Sequence, residues 1–346
     1  MGLADLIAAL LFLGVIAYAV FGGADFGVGV WDLTAGNDAD GAPLRQQIDR
    51  SIGPVWEANH VWLIYILVFL WSAFPRAFSS IMTTLFIPWL LVGLGIVLRG
   101  GAFAFRKFST SLAEARMHGI VFAASSIITP FFLGMIAGAI ASGRVPLTDA
   151  AGQDGGGSDI AVWSSWLGPT SWVGGALAVL TCAFLAGTFL AADAQRYGDG
   201  QLAATIGRRV LIVGVVTGGV AMAAAVTLEL DATSLASGLH GRGLPLILLS
   251  ALAGGLSLWD LRAGNFARAR VSSVLAVATI VIGWGVGQYP DVLVDHATID
   301  EVIGARSTQI GLVIVFGLAA VTAVPALVWL YVLVNGRRWA RPDTAS

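Results

Sequence analysis

Two acidic residues stand where acid is expensive. Asp25 lies in the apolar run AVFGGADFGVGVW, and Glu57 lies in SIGPVWEANHVWL. An ionisable group inside a bilayer costs about 2.5–3.5 kcal/mol on insertion scales, so each is a functional hypothesis by default. Gly22, Asp25 and Gly29 fall at i, i+3 and i+7, on one helical face. Gly23 and Gly27 form a G-x-x-x-G pair that lets another helix come close, so Asp25 is expected to face protein. The plainer account of Asp25 is a carboxylate that only ties helices together by hydrogen bonds. Glu57 follows Pro54, which suits a first helical turn, and an acid there also suits the positive end of the helix dipole. That is its ordinary structural explanation. Trp56, Asn59 and His60 crowd it at helical spacing. Asn59 and His60 are polar residues just inside a span, and with Glu57 they make a wet or hydrogen-bonded patch. Arg99 closes the third apolar run. Burial and a neighbouring guanidinium pull a carboxylate's proton affinity in opposite directions, which suits a site that takes up and releases protons.

These side chains need membrane-spanning helices to position them. Of the 346 residues, 57% are hydrophobic and only 12% charged, about half the charge a soluble domain carries. The apolar residues come in runs of roughly 20, the length a helix needs to cross the hydrocarbon core. Strands of a barrel would alternate instead. The sequence predicts an all-α integral membrane protein, one domain over 1–346. Its nine spans fall at about 6–31, 54–74, 78–98, 119–142, 164–192, 210–228, 244–258, 271–287 and 308–334. The arginines orient it. Fifteen of the 19 basic residues fall after the odd-numbered spans or in the C-terminal tail, Arg99 counted among them. The other four, Arg76, Arg144, Arg242 and Arg306, occupy the alternate loops one apiece. Basic residues gather on the cytoplasmic side, which puts the N-terminus outside and the C-terminus in the cytoplasm. The run after Met1 has no basic lead-in and no cleavage-like site, so it reads as a retained first helix. Asp25, Glu57 and Arg99 then share one depth near the cytoplasmic ends of three consecutive helices, and a proton entry route is the expectation.

The remaining chemistry is sparse. His118 sits at a helix start, and His240 and His296 fall in outer loops, so no second intramembrane histidine faces His60. Haem or metal ligation on this chain is not expected. The single cysteine, Cys182, excludes an intrachain disulfide and reads as a packing residue. The 12 tryptophans cluster near span ends (Trp31, Trp56, Trp163, Trp166, Trp339), as interfacial anchors do. There is no nucleotide-binding loop, catalytic triad or zinc spacing. Gly152–Ser158 reads as a flexible exposed loop among Asp149, Asp154 and Asp159, and spans six to nine hold no deep acid.

Three segments carry a family resemblance. GGADFGVG resembles the D-G-F-D-x-G-V-G signature of the second subunit of cytochrome bd-type quinol oxidases. PVWEANHVWL resembles that family's P-x-W-D-G-N-x-V-W-L, and Arg99 with the following GGAFAFRKF resembles its F-R segment after helix three. Nine spans in this order agree along the whole chain. The resemblance implies two four-helix bundles plus a peripheral helix in a bacterial plasma membrane. It implies a larger, homologous haem-bearing partner, subunit I, with two b-type haems, one d-type haem and the quinol-oxidising loop. The complex would oxidise quinol and reduce oxygen to water with cytoplasmic protons and no pumping. This chain, without a catalytic residue of its own, would scaffold that partner and help line proton and oxygen routes. A structural quinone (menaquinone or ubiquinone) and a small accessory subunit fit the same picture; nucleic acid does not. Asp25 matches the second acid of the first signature, Glu57 the acid of the second and Trp56 its tryptophan. Two departures stand out: Gly22 replaces the family's first acid, and glutamate replaces aspartate at Glu57. His60 stands where many relatives carry another polar residue. Proton-route residues are therefore Asp25, Glu57, Arg99 and His60; helix-packing and subunit-interface residues are Gly22, Gly29, Trp56 and Asn59. Intramembrane acids also occur in secondary transporters, which would work without haem, and in inert assembly partners.

Overall fold

The computed structural model describes residues 2–36, 38–52, 56–106, 108–109, 111–147 and 163–335. The expected glycine-rich acidic loop, Pro54, Lys107, Trp339 and the tail arginines 337, 338 and 341 lie outside them, as do the side chains of Trp56 and Glu57.

The chain is helical almost throughout. Helix α1 runs Leu3–Leu33, α2 Asp38–Ile52, α3 Trp56–Ala73, α4 Pro75–Thr84, α5 Phe86–Arg106, α6 Leu112–Ala141, α7 Pro169–Arg196 and α8 Gly200–Asp231. Then come α9, Thr233–Arg262, α10 Phe266–Gln288, α11 Ile299–Val302 and α12 Arg306–Asn335. A two-stranded antiparallel hairpin precedes α11: β1 Asp291–Leu293 pairs with β2 Ala297–Thr298, placing Asp291 opposite Thr298 and Leu293 opposite Ala297. Among the described residues, eight helices are long and apolar enough to cross a bilayer, and α3 with α4 makes a ninth if counted as one broken span. Two of these helices contain a π turn, Tyr18–Gly22 in α1 and Leu239–Gly243 in α9.

The third span departs from its expected 78–98. The chain bends by 119° between α3 and α4. Pro75 starts α4, where its missing N–H costs nothing; α4 ends at Thr84, and the long apolar helix begins only at Phe86. As a result Arg99 sits inside α5, not in a loop, and must be removed from the loop charges that oriented the chain. The segment after the first span is likewise ordered: α2 turns Leu44 and Ile48 into the core.

Helices meet where side chains are small. A Cβ on Gly27 of α1 would run into the Cys182 carbonyl of α7, and one on Gly138 of α6 would lie 2.6 Å from the Thr170 carbonyl. Backbones this close are what small residues permit in lipid. Two apolar clusters fill the ends of the assembly. One gathers Trp31, Leu44, Ile48, Phe103, Phe122, Leu190, Ile206 and Phe266. The other gathers Ile7, Phe69, Phe74, Leu85, Met135, Trp166 and Leu293, so the hairpin caps it. Trp31 and Trp166 thus belong to the core and not to an interfacial belt; the Trp31 indole donates to the Ala183 carbonyl at 2.8 Å. Trp163 is exposed. Beside the hairpin, whose His296 lies 2.8 Å from the Gly143 carbonyl, Arg144 after α6 pairs with Asp231 at the end of α8, and the Thr170 amide at the start of α7 donates to the same carboxylate at 3.0 Å. Large apolar side chains such as Leu90, Val97, Met222 and Leu252 face outward, as a bilayer-facing surface requires.

Candidate functional site

Asp25 and Arg99 come together although 74 residues separate them. The Arg99 guanidinium donates to both carboxylate oxygens, Nη1 to Oδ2 and Nη2 to Oδ1, each at 2.9 Å. Nη2 also donates to the Asp25 main-chain carbonyl at 3.0 Å, and Nε donates to the Ser126 hydroxyl of α6 at 2.9 Å. Four of the five guanidinium N–H groups are thereby used. Phe26 and Phe122 flank the cation, with ring centroids 4.9 and 5.1 Å from its carbon, adding a cation–π contribution. Arg99 is 1% exposed and Asp25 3%. Each charge makes the other's burial tolerable. Removing one partner from such a pair costs about 3–5 kcal/mol, because the other is left buried alone. Three elements build the site: α1 supplies the acid, α5 the base and α6 the serine. Gly29 lets α6 approach, since a Cβ there would strike the Ser126 side chain.

The other expected site residues arrange around Phe26. His60 of α3 is half-buried and meets the Phe26 ring edge-on at 5.8 Å. Asn59 is buried beside it in sequence. Glu57 and Trp56 form the first turn of α3. At Gly22, the nearest atoms a Cβ would meet belong to the ring of Tyr18 in its own helix, at 2.7 Å. Nearer the helix ends a second cluster forms on Asp32, which is 5% exposed and pairs with Arg45 of α2 at 3.3 Å and Arg106 of α5 at 3.2 Å.

Two acids in the second half escaped the sequence. Asp260, in LWDLR near the end of α9, is 1% exposed, and its carboxylate lies 3.5 Å from the guanidinium of the largely exposed Arg268. Its span was expected to stop at 258; the helix continues to Arg262 and takes the acid inside. Asp193 of α7 pairs with Arg270 of α10 at 3.1 Å, and Arg270 lies over the Phe189 ring at 3.9 Å. The recurring signal is an acid at a helix end with an arginine in a neighbouring helix. Of the remaining histidines, His118 lies within α6 with its Nδ1 3.0 Å from the Ser109 hydroxyl. His240 lies in the π turn of α9, 3.2 Å from Glu229. His296, in the hairpin, is 2.8 Å from the Gly143 carbonyl. Among the described residues no three of His, Cys, Asp and Glu gather as a metal site would need.

Comparison with known proteins matches one family along nearly the whole chain. Residues 3–334 match the family described as cytochrome bd terminal oxidase subunit II. A cytochrome bd ubiquinol oxidase subunit 2 of Bacillus subtilis is 33% identical over 132 residues, 38% of this chain and 37% of that protein. A cytochrome bd-I ubiquinol oxidase subunit 2 of Escherichia coli is 28% identical over 136 residues, 38% of this chain and 35% of that protein. The matched stretch thus spans little more than a third of these relatives' length. In three dimensions the chain is similar to one from the bd oxidase structure of Geobacillus thermodenitrificans, with a TM-score of 0.78 and 21% identity, covering 97% of this chain and 99% of that one; that likeness establishes the fold. The chain belongs to the cytochrome bd terminal oxidase subunit II family.

Proposed function

We propose that this chain serves a quinol-oxidising, oxygen-reducing membrane complex as its second subunit, and that Asp25, Arg99, His60 and Glu57 form a cytoplasmic proton entrance in it. A larger subunit I carries the two b-type haems, the d-type haem and the quinol chemistry. Oxygen goes to water with protons drawn from the cytoplasm and none pumped. This chain scaffolds that partner in the bacterial plasma membrane and helps line the proton and oxygen routes. A structural quinone and a small accessory subunit belong to the same reading. So does the arrangement of nine spans as two four-helix bundles and a peripheral helix, with the N-terminus outside and the C-terminus in the cytoplasm. Family membership supports the oxidase; α12, which rests on α1 and α3 with its most apolar stretch unburied, suits the peripheral helix.

The observation that carries the site is the double hydrogen bond from Arg99 to Asp25. With both oxygens held, the pair acts as a fixed dipole that neutralises itself and fixes α1, α5 and α6. Its field bears on His60, whose ring shares Phe26 with the Arg99 guanidinium. His60 and Glu57 are then the groups that hand protons on, while Asp25 and Arg99 orient them. Gly22, where relatives carry an acid, leaves no second carboxylate one turn before Asp25, which places the burden on α3. Trp56, Asn59 and Gly29 pack the helices around the entrance.

The test is Glu57→Ala, with His60→Leu in parallel, in the intact complex. Quinol-dependent oxygen consumption and proton uptake should both fall, with haem content retained. Unchanged uptake and turnover in both variants would leave the acids as assembly elements only.

A further inference from the structure

Tyr18 is, among the described residues, one of several buried polar groups without a hydrogen-bond partner, and it lies beside the Asp25–Arg99 layer. It is 8% exposed and enclosed by Phe26, Leu63 and Cys182, with Ile66, Leu67, Ile96 and Leu133 around them. Among the described residues its hydroxyl has no hydrogen-bond partner. A buried hydroxyl left unpaired costs about 1–3 kcal/mol by mutational measures, and a buried tyrosine O–H usually finds a partner.

The ring also points the unusual way. Helical side chains tilt toward the N-terminus of their helix, which would turn Tyr18 away from Asp25. Here the ring lies instead over Gly22, one turn toward the C-terminus, so close that a Cβ at 22 would sit 2.7 Å from it. The π turn Tyr18–Gly22 and the missing side chain at Gly22 together open that space. On the far side the Tyr18 ring meets Phe26 nearly perpendicular at 6.3 Å, and Phe26 is the residue that carries Arg99 and His60 on its other contacts. The ring is therefore carried past Gly22 to Phe26, toward the layer of Asp25. No direct hydrogen bond joins the Tyr18 hydroxyl to Asp25. A polar pair separated this way, inside a bundle, is the setting in which a buried water makes about three hydrogen bonds to otherwise unsatisfied groups.

We infer that Tyr18, Gly22 and the Asp25–Arg99 pair form an internal water site, in which water bridges the Tyr18 hydroxyl to the ion pair. The site lies within about two turns of α1, between residues 18 and 25. The glycine that replaces the family's acid at position 22 is what admits the tyrosine ring. The water site stands on this geometry alone. Its use as the proton station beyond His60 rests on the proton-entrance reading above.

The direct test is radiolytic footprinting of the intact complex in 18O-labelled water, read by mass spectrometry. Radiolysis of ordered internal water releases hydroxyl radical that adds to the ring beside it, so Tyr18 should take up labelled oxygen, while Phe74, fully buried in an apolar cluster, should not. Tyr18 labelling no higher than Phe74 would overturn the water site. Gly22→Val, which closes the space, should abolish the labelling; persistence there would overturn the role given to Gly22. Tyr18→Phe keeps the ring and removes only the hydroxyl. With haem content equal to wild type, its quinol-dependent turnover should fall about tenfold or more, the scale of a lost proton carrier, with a changed solvent isotope effect. Labelled Tyr18 with an unaltered Tyr18→Phe turnover would overturn the station role while keeping the water site. Wild-type complex that consumes no oxygen would overturn the preceding function and leave the labelling result readable on its own.

Discussion

The two halves of the chain use the same ion-pair chemistry in opposite settings. In the first half Arg99 is as buried as Asp25, touches both carboxylate oxygens and is flanked by two rings. In the second half Asp260 is just as buried, yet its partner Arg268 has a side chain 68% exposed and stands 3.5 Å away. Asp193 and Arg270 are both partly exposed. A dry, doubly hydrogen-bonded pair is coupled strongly, and losing one member strands the other. A pair open to solvent is screened and contributes about 0–1 kcal/mol. The difference is therefore one of water and geometry, since the residue types are alike.

The largest effect should come from splitting the buried pair. Arg99→Met should lower the stability of the assembled complex by roughly 3–5 kcal/mol, seen as a sharp loss of folded protein on extraction and in thermal unfolding. Asp25→Leu with Arg99→Met together should recover much of that loss, because neither charge is then stranded. A double variant as damaged as the single would break the assigned coupling. Next, Gly27→Val should cost about 1–3 kcal/mol by overpacking α1 against α7, read as a drop in Tm. Arg270→Ala should cost at most about 1 kcal/mol in the same assay, because Asp193 keeps its access to water. An effect equal to Arg99→Met would erase the contrast between the halves.

The smallest effect lies at the surface. Glu301 in α11 accepts hydrogen bonds from the Thr298 amide and hydroxyl, both at 2.8 Å, and these hold its carboxyl below the usual carboxylate range. Because the folded value lies below the unfolded one, the cap stabilises above the ordinary carboxylate range. That contribution fades as pH falls through the depressed value. Glu301→Gln should remove this acid-side dependence of hairpin protection in hydrogen exchange; an unchanged profile would deny the cap its role.

Much of this was legible in the sequence, for physical reasons. Long apolar runs can only be helices in lipid, so α1, α6, α7, α8, α10 and α12 could be read directly. Asp25 announced itself because an acid inside a glycine-rich apolar run has few explanations. The partner was harder. Arg99 looked like a loop charge because a hydropathy run does not register the 119° bend at Phe74 or the restart at Phe86. Asp260 was invisible for the mirror reason: LWDLR looks like the polar margin of a helix, yet the helix runs on to Arg262 and the acid is buried. Trp31 shows the same limit, since a tryptophan near a span end reads as an anchor although its indole is spent on the Ala183 carbonyl. What sequence does not carry is the direction a side chain takes once inside, and that is what sets Tyr18 over Gly22.

The central claim is that this subunit works only within a haem-bearing quinol oxidase whose proton supply it helps to shape. The most direct measurement is quinol-dependent oxygen consumption, with a reduced-minus-oxidised spectrum, on complex purified from native membranes through a tag on this chain. The account predicts co-purified haem b and haem d signals and oxygen uptake that falls in Glu57→Ala at constant haem content. An assembled sample with neither haem d nor oxygen uptake would contradict it.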